Sequence, residues 1–273
     1  MLQDIAPHVY HNPMEFRQPR QEDVALVCTK EGILLRREQE QWVLPKVGQV
    51  QGAEGFTYGF SIDETAYFLT ISGEVPDFSF VRDYRGRTPK ELVFACAVGQ
   101  SLARWYQGNR FCGCCGAAME HSKTERALVC PKCHHTVYPR INPAVIVAVR
   151  DGERLLLTKY AGRAFTRYAL VAGYSEIGET VEETVRREVM EETGLRLGKL
   201  HFYKSQPWVV TDSLLMGFYA DLEGSDQIKL QEDELSEGTW FRRDEIPDDF
   251  SGDSLTGEMI TRFRQGLDRV PLG

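Results

Sequence analysis

Read for alternation of apolar and polar positions, the chain divides into β-like stretches interrupted by helical ones. Residues 24–28 and 33–36 are β-like runs on either side of a Lys30-Glu31-Gly32 turn, and residues 65–71 alternate as a half-buried strand does. Thr88-Pro89-Lys90-Glu91 reads as a helix start, with Thr88 as the cap, Pro89 in the first helical position and Glu91 as the capping acid. The helix it opens runs to about Gly108 and carries core-type residues, among them Leu92, Phe94, Val98, Leu102 and Trp105. Further on, residues 144–149 and 154–158 form a hairpin about Asp151-Gly152. Later strands are expected from Val209 or Ser213 through Tyr219 and over residues 238–241. Leu255, Met259, Phe263 and Leu267 mark the apolar side of a closing helix.

One more helix is set by its punctuation. Thr180 and Glu183 make a capping box, and Gly194 sits where a left-handed C-terminal cap is wanted, so the spacing predicts a helix over residues 181–192. At about 100° per residue, Val181, Val185 and Val189 trace its buried arc. Glu188 and Glu192 fall on that same arc, with Glu191 beside them. Glu183, four residues before Arg187, reads as an ordinary surface ion pair. Two carboxylates on the apolar side do not: losing hydration costs several kcal/mol per ion unless cations compensate. A hard divalent cation is that compensation.

From Gly173 to Leu195 the chain fills every specified position of G-x5-E-x7-R-E-U-x-E-E-x-G-U, where U is aliphatic. This segment resembles the box of the Nudix hydrolases, metal-dependent enzymes that cut nucleoside diphosphates linked to another group. The resemblance implies an α/β fold, a mixed-sheet α/β/α sandwich. It also implies Glu188, Glu191 and Glu192 as ligands of Mg²⁺ or Mn²⁺, Arg187 orienting the carboxylates, and Gly173 allowing the preceding loop to turn. Glu179 stands at the helix entrance as a residue that binds or steers the same cluster, and Glu176 is a weaker candidate.

At 273 residues and 42% hydrophobic, the chain is long enough for two domains with a substantial core. It contains no apolar run of membrane-spanning length, and residues 1–10 lack a basic-then-apolar signal, so no membrane association and a cytoplasmic location are expected. A net charge of −8 argues against broad, nonspecific nucleic-acid binding. Four cysteines, Cys112-x2-Cys115 and Cys130-x2-Cys133, have the spacing of a zinc ribbon, and paired thiolates in a cytoplasmic chain read as a structural Zn²⁺ site. Cys114 leaves an ambiguity of register. His134 and His135 read as surface side chains, and Cys28 and Cys96 as small buried hydrophobes. Arg110, Lys123, Arg126, Lys132 and Arg140 against Glu120 and Glu125 give the ribbon a modest basic excess. Its default reading is a metal-stapled connector between domains.

Downstream stands Ser205-Gln206-Pro207-Trp208, and with the ribbon and Tyr138-Pro139 this resembles the NADH pyrophosphatase branch of the Nudix hydrolases. In that branch the array continues S-Q-P-W-P-F-P-x-S. Here Ser213 and Leu214 stay in register, but P-F-P-x has become Val209-Val210-Thr211-Asp212. The resemblance implies cleavage of NADH or NAD⁺ to nicotinamide mononucleotide and AMP, and in some members removal of an NAD cap from RNA. It implies Glu234 as a further metal ligand, with Glu237 the near alternative. It also implies Tyr174, Tyr138, Gln206, Trp208 and Ser213 in the substrate site, and a homodimer in which Tyr138 acts across the interface. Flat heteroaromatic rings stack on such aromatic faces for about 1 to 3 kcal/mol each. Arg82 reads as a surface charge.

The expected organisation is a β-rich N-terminal domain with a closing helix (1–108), a zinc ribbon (109–140) and a Nudix catalytic domain (141–273). The altered 209–212 stretch keeps open a related hydrolase acting on ADP-ribose or diadenosine compounds. A non-catalytic nucleotide- or RNA-binding adaptor is disfavoured by the intact acidic box.

Overall fold

The structure is a computed structural model that describes residues 1–162, 167–231, 233–250 and 252–269. Its contacts group into two compact units: Leu2–Arg140 with Val209–Asp212, and Ile141–Trp208 with Ser213–Gly273 and Met1.

In the first unit a seven-stranded sheet is built from β1 (Tyr10–His11), β2 (Val24–Thr29), β3 (Gly32–Glu38), β4 (Gln41–Val43), β5 (Thr57–Ile62), β6 (Thr65–Thr70) and β7 (Ser79–Val81). The order is β1-β5-β6-β2-β3-β4, with β7 on β3. Period-two alternation splits β2 between two cores. Val24, Leu26 and Cys28 join the cluster that includes helix α1 (Lys90–Gly108), whereas Ala25 and Val27 join the opposite one. Helix α1 lies so close to β2 that a Cβ on Gly99 would stand 2.9 Å from a methyl of Leu26.

The start of α1 differs from the sequence expectation. Pro89 takes the cap position with extended backbone, Lys90 is the first helical residue, and no side chain caps the end. The Thr88 carbonyl accepts the Trp42 N–H at 3.1 Å, which ties Thr88 to β4 rather than to the helix. Arg82 donates to the Glu31 carbonyl and so braces the β2–β3 turn. Cys28 and Cys96 are buried in this core, where burial pushes both thiols up and keeps them protonated. The ribbon adds a three-stranded sheet in the order β10-β9-β8, from β8 (Glu120–His121), β9 (Leu128–Val129) and β10 (Thr136–Val137).

The second unit holds β11 (Asn142–Asp151), β12 (Arg154–Tyr160), β13 (Val171–Tyr174), helix α2 (Val181–Thr193), β14 (Leu197–Trp208), β15 (Ser213–Leu222), β16 (Leu235–Arg242) and helix α3 (Leu255–Arg264). The sheet order is β14-β15-β11-β12-β16, with β13 on β11. β11 and β15 run parallel and the other pairs antiparallel, so the sheet is mixed. Val145, Val147 and Val149 of β11 pack with Val185 and Val189 of α2, while Ile146 and Ala148 pack with Leu255, Met259 and Phe263 of α3. A strand apolar on both faces between two helix layers makes this unit an α/β/α sandwich.

The hairpin between β11 and β12 turns at Gly152, whose φ of 59° is left-handed. Residues 209–212 form the turn between β14 and β15, and Leu267 lies beyond the end of α3. The long strand β14 has no counterpart in the sequence reading. Register shifts after Leu197 and Phe202 break its alternation, and Pro207 argues against a strand except at a sheet edge, which is where β14 runs.

At the far end of β11, Arg150 is only 4% exposed and bonds Asp221 at 2.7 Å and Asp268 at 3.0 Å. Asp268, whose side chain is fully buried, also bonds Arg243 at 2.8 Å. Replacing Asp268 with alanine is expected to lower unfolding stability by about 3 kcal/mol, because it deprives two arginines, one of them buried, of a shared counter-ion. Denaturant unfolding of the variant measures this; a loss under about 1 kcal/mol would contradict it.

Candidate functional site

Helix α2 begins and ends as its sequence requires. The Thr180 hydroxyl accepts the Glu183 N–H, the Glu183 carboxylate accepts the Thr180 N–H at 2.7 Å, and Gly194 closes the helix at φ 69°. Glu183 is thereby committed to the cap. The ion pair expected between Glu183 and Arg187 does not form, because the guanidinium is engaged elsewhere.

Arg187 is the hub of the site. Its Nε and Nη2 grip both oxygens of Glu179 at 2.5 and 2.9 Å, a bidentate pair. Its Nη1 reaches Glu188 at 2.8 Å and Glu191 at 3.0 Å, and Nη2 also donates to the Tyr174 carbonyl at 3.0 Å. One cation thus fixes three carboxylates and the end of β13. Glu179 further accepts the Glu176 N–H and the Thr184 hydroxyl, and with Arg187 as the main cause its carboxyl is held down to about 2. Glu176 takes part through its backbone.

Glu188 is in a different electrostatic position. Burial pushes its carboxyl up, Arg187 opposes the shift, and the negative charges of Glu191 and Glu234 add to it. Space for this carboxylate exists because position 173 has no side chain: a Cβ there would lie 1.9 to 2.2 Å from the Glu188 carboxylate atoms. Glycine at the end of β13 is therefore a steric requirement. Glu192 is 2% exposed at the end of α2.

Glu234 reaches the cluster through the backbone of the preceding loop. Lys229 N–H donates to the Thr193 carbonyl and Gln231 N–H to the Glu192 carbonyl, and the Glu234 carbonyl accepts from Ala161. Glu237, the alternative, is held on β16 by Lys159 at 2.7 Å and by the Tyr168 hydroxyl. Lys159 and Glu237 face each other across β12 and β16, so this acid is neutralised by a cross-strand partner.

The candidate substrate residues of this unit gather through sheet register. Ser213 pairs with both Trp208 and Asn142, and Tyr174 pairs with Ala144. The Tyr174 and Ser213 hydroxyls are 3.3 Å apart, with Tyr174 52% exposed. Gln206 is placed otherwise. It is fully buried, its Nε2 donates to the Asp253 carbonyl, and its Oε1 accepts the Leu255 N–H, so its amide ends cap the start of α3. Tyr138 belongs to the other unit, where it is exposed and its hydroxyl donates to Glu125.

In the ribbon, the sulfurs of Cys112, Cys115, Cys130 and Cys133 all lie within 4.8 Å of one another. The pairs Cys112–Cys133 and Cys115–Cys130 are 3.5 Å apart. A tetrahedral zinc with Zn–S bonds of about 2.3 Å needs edges of about 3.8 Å, so the set fits a structural zinc ion. Backbone N–H groups of Cys114 and Cys133 point at the sulfurs of Cys112 and Cys130, and the Cys133 amide is the leading cause pulling the Cys130 thiol down to about 6. Cys114 is exposed and contributes its backbone, which resolves the register. His134, with φ 61°, serves as a turn residue.

Among the described residues these thiols are the one group already at ligand spacing. The carboxylates suit a different ion: several oxygen donors, one half-buried with a raised pKa, match a hard divalent cation. Sequence reasoning missed Thr184, which braces Glu179, and the Lys159–Tyr168 pair that withdraws Glu237. The first is legible as a hydroxyl four residues after Thr180; the second depends on strand register. Gly173→Ala is expected to leave folding intact but to displace Glu188 and weaken divalent-cation binding at least about tenfold. Calorimetric titration of the variant against the parent tests this, and equal affinities would contradict it.

Two family models match the chain: the NUDIX domain over residues 140–263 and the NADH pyrophosphatase zinc ribbon domain over residues 109–138. The NAD-capped RNA hydrolase NudC of Pectobacterium atrosepticum is 46% identical over 230 residues, covering 82% of this chain and 83% of that protein. The protein of the same name from Pectobacterium carotovorum is 44% identical over 184 residues, covering 67% and 70%. A crystal structure of a NUDIX hydrolase from Nitrosomonas europaea aligns with a TM-score of 0.49 at 23% identity, covering 59% of this chain and 94% of that one. With both its acidic box and its cysteine ribbon matched in family and in sequence, the chain belongs to the Nudix hydrolases, in the NADH pyrophosphatase branch that carries a zinc ribbon.

Proposed function

We propose that this enzyme hydrolyses the diphosphate bond of NADH or NAD⁺ to nicotinamide mononucleotide and AMP, and that it removes the NAD cap from RNA 5′ ends. The observation that carries this reading is the carboxylate cluster organised by Arg187 and bonded to the end of β13, where Tyr174 meets Ser213. Glu188, Glu191, Glu192 and Glu234 are the ligands of catalytic Mg²⁺ or Mn²⁺. When bound, such ions lower the pKa of a water and neutralise charge on the diphosphate oxygens. The chain's own residues do the rest. Arg187 orients Glu188 and Glu191 and, through the Tyr174 carbonyl, locks them to the end of β13. Glu179, held ionised by Arg187, is its counter-charge and keeps the guanidinium aimed at the cluster.

Tyr174 and Trp208 offer ring faces for the dinucleotide, and Ser213 a hydroxyl beside Tyr174. Gln206 supports the same strand end from the interior. Tyr138 adds a further aromatic contact across a homodimer. Residues 1–108, 109–140 and 141–273 serve as N-terminal domain, ribbon and catalytic domain, in a cytoplasmic protein. Among the described residues, no helix is long and apolar enough to cross a membrane.

A second reading has one observation in its favour. The Val209–Asp212 turn departs from the branch pattern, which favours a related diphosphate such as ADP-ribose or a diadenosine compound as the better substrate.

Comparing kcat/KM for NADH, NAD⁺, ADP-ribose, diadenosine compounds and NAD-capped RNA, with Mg²⁺ and with Mn²⁺, decides between the two. NADH or NAD-capped RNA is expected to lead; absence of turnover on both overturns the first reading. Glu192→Gln is expected to lower turnover more than about 100-fold without loss of folding. Cys130→Ser is expected to lose zinc and stability, read by elemental analysis and thermal unfolding, while the chemistry of the remaining folded protein persists.

A further inference from the structure

The turn that departs from the branch pattern is held by several side-chain hydrogen bonds from one helix. Arg104, on α1, donates through Nη2 to the Val209 carbonyl at 2.7 Å and the Val210 carbonyl at 3.3 Å. The same guanidinium grips both oxygens of Asp212, Nη2 at 2.5 Å and Nε at 3.2 Å. Ser101, one turn earlier on the same helix face, donates its hydroxyl to Asp212 at 2.7 Å. Val209 packs against the core that α1 covers, and the segment groups by its contacts with the N-terminal unit. Asp212 itself has φ 56°, a left-handed conformation that aspartate tolerates better than most residues.

Proline stiffens a loop by fixing φ and reducing the freedom of the unfolded segment. The sequence Val209-Val210-Thr211-Asp212 has no proline, so nothing local restricts it in that way. What restricts it is the planar guanidinium fork, which matches a carboxylate in a way a lysine ammonium does not. By chain continuity the clasped turn ends at Trp208 on one side and Ser213 on the other, both candidate substrate residues.

We infer that Arg104 is a positioning residue for substrate binding: its clasp on Asp212 and the Val209 and Val210 carbonyls replaces proline stiffness in the loop that presents Trp208 and Ser213. This rests on the functional reading above, in which Trp208 and Ser213 contact the dinucleotide. Arg104 touches no reacting atom, so its loss changes binding and spares the chemical step.

The test uses the full chain. Arg104→Gln, at an exposed position, is expected to fold with an unchanged melting temperature within a few degrees and to raise KM for NADH about tenfold while kcat stays within about threefold. Arg104→Lys is expected to behave like the glutamine variant, since the fork is lost with the charge retained. Adding Val209→Pro and Thr211→Pro to the Arg104→Gln background is expected to restore KM to within about threefold of the parent. Hydrogen exchange without substrate supplies a second readout: the 208–213 amides of Arg104→Gln are expected to exchange at least about tenfold faster. Unchanged KM with unchanged exchange overturns the inference, as does a fall in kcat at constant KM. A parent that fails to hydrolyse NADH sinks the functional reading instead, and the exchange rates then decide the clasp by themselves.

Discussion

Everything in the catalytic unit is arranged around one electrostatic problem, the gathering of several carboxylates against an apolar core. Glu188 and Glu192 sit on the face of α2 that also carries Val185 and Val189. Their repulsion and lost hydration would unfold the helix end if nothing opposed them. Arg187 supplies part of the answer by bonding Glu179, Glu188 and Glu191 at once. Glu188 keeps a raised pKa in spite of that contact, because burial and the charges of Glu191 and Glu234 oppose it.

The architecture serves this arrangement by removing freedom from its components. Capping at Thr180 fixes where α2 begins, Gly194 fixes where it ends, and the missing side chain at Gly173 lets β13 pass over the Glu188 carboxylate. Glu234 arrives from a separate loop, but that loop is hydrogen-bonded to the last carbonyls of α2. Position in the site is therefore set by backbone bonds together with the Arg187 fork. The same economy governs the zinc ribbon, where backbone N–H groups and left-handed turn residues preset the sulfurs.

Much of this was legible in the sequence because the decisive signals are local. The helix of the acidic box follows from Thr180, Glu183, Gly194 and the valine spacing, and the ribbon follows from two short cysteine pairs. The hairpin at Gly152 and the apolar face of α3 are similarly short-range. What escaped the sequence was non-local. The strand β14 is disguised by its bulges and by Pro207, whose tolerance depends on an edge position that no window reveals. That Glu237 meets Lys159 across the sheet, whereas Glu234 does not, depends on strand register and could not be read locally. Gln206 looked like a substrate residue from its motif, whereas its surroundings give it the start of α3 to hold. The Glu183–Arg187 spacing suggested an ion pair, but the cap holds Glu183 and other carboxylates hold Arg187.

The two-faced strand β11 has a consequence for how the chain reaches this state. Residues 144–149 are uncharged, β-branched and alanine-rich, and buried on both sides in the finished unit. Their parallel neighbour β15 comes much later in the chain, and the layer over one face is completed by α3, the last helix. During synthesis the face that α3 covers waits longest for its native partner, a window in which sticky strands find one another. Protein yield, rather than enzymatic performance, is where substitutions along β11 would first be felt.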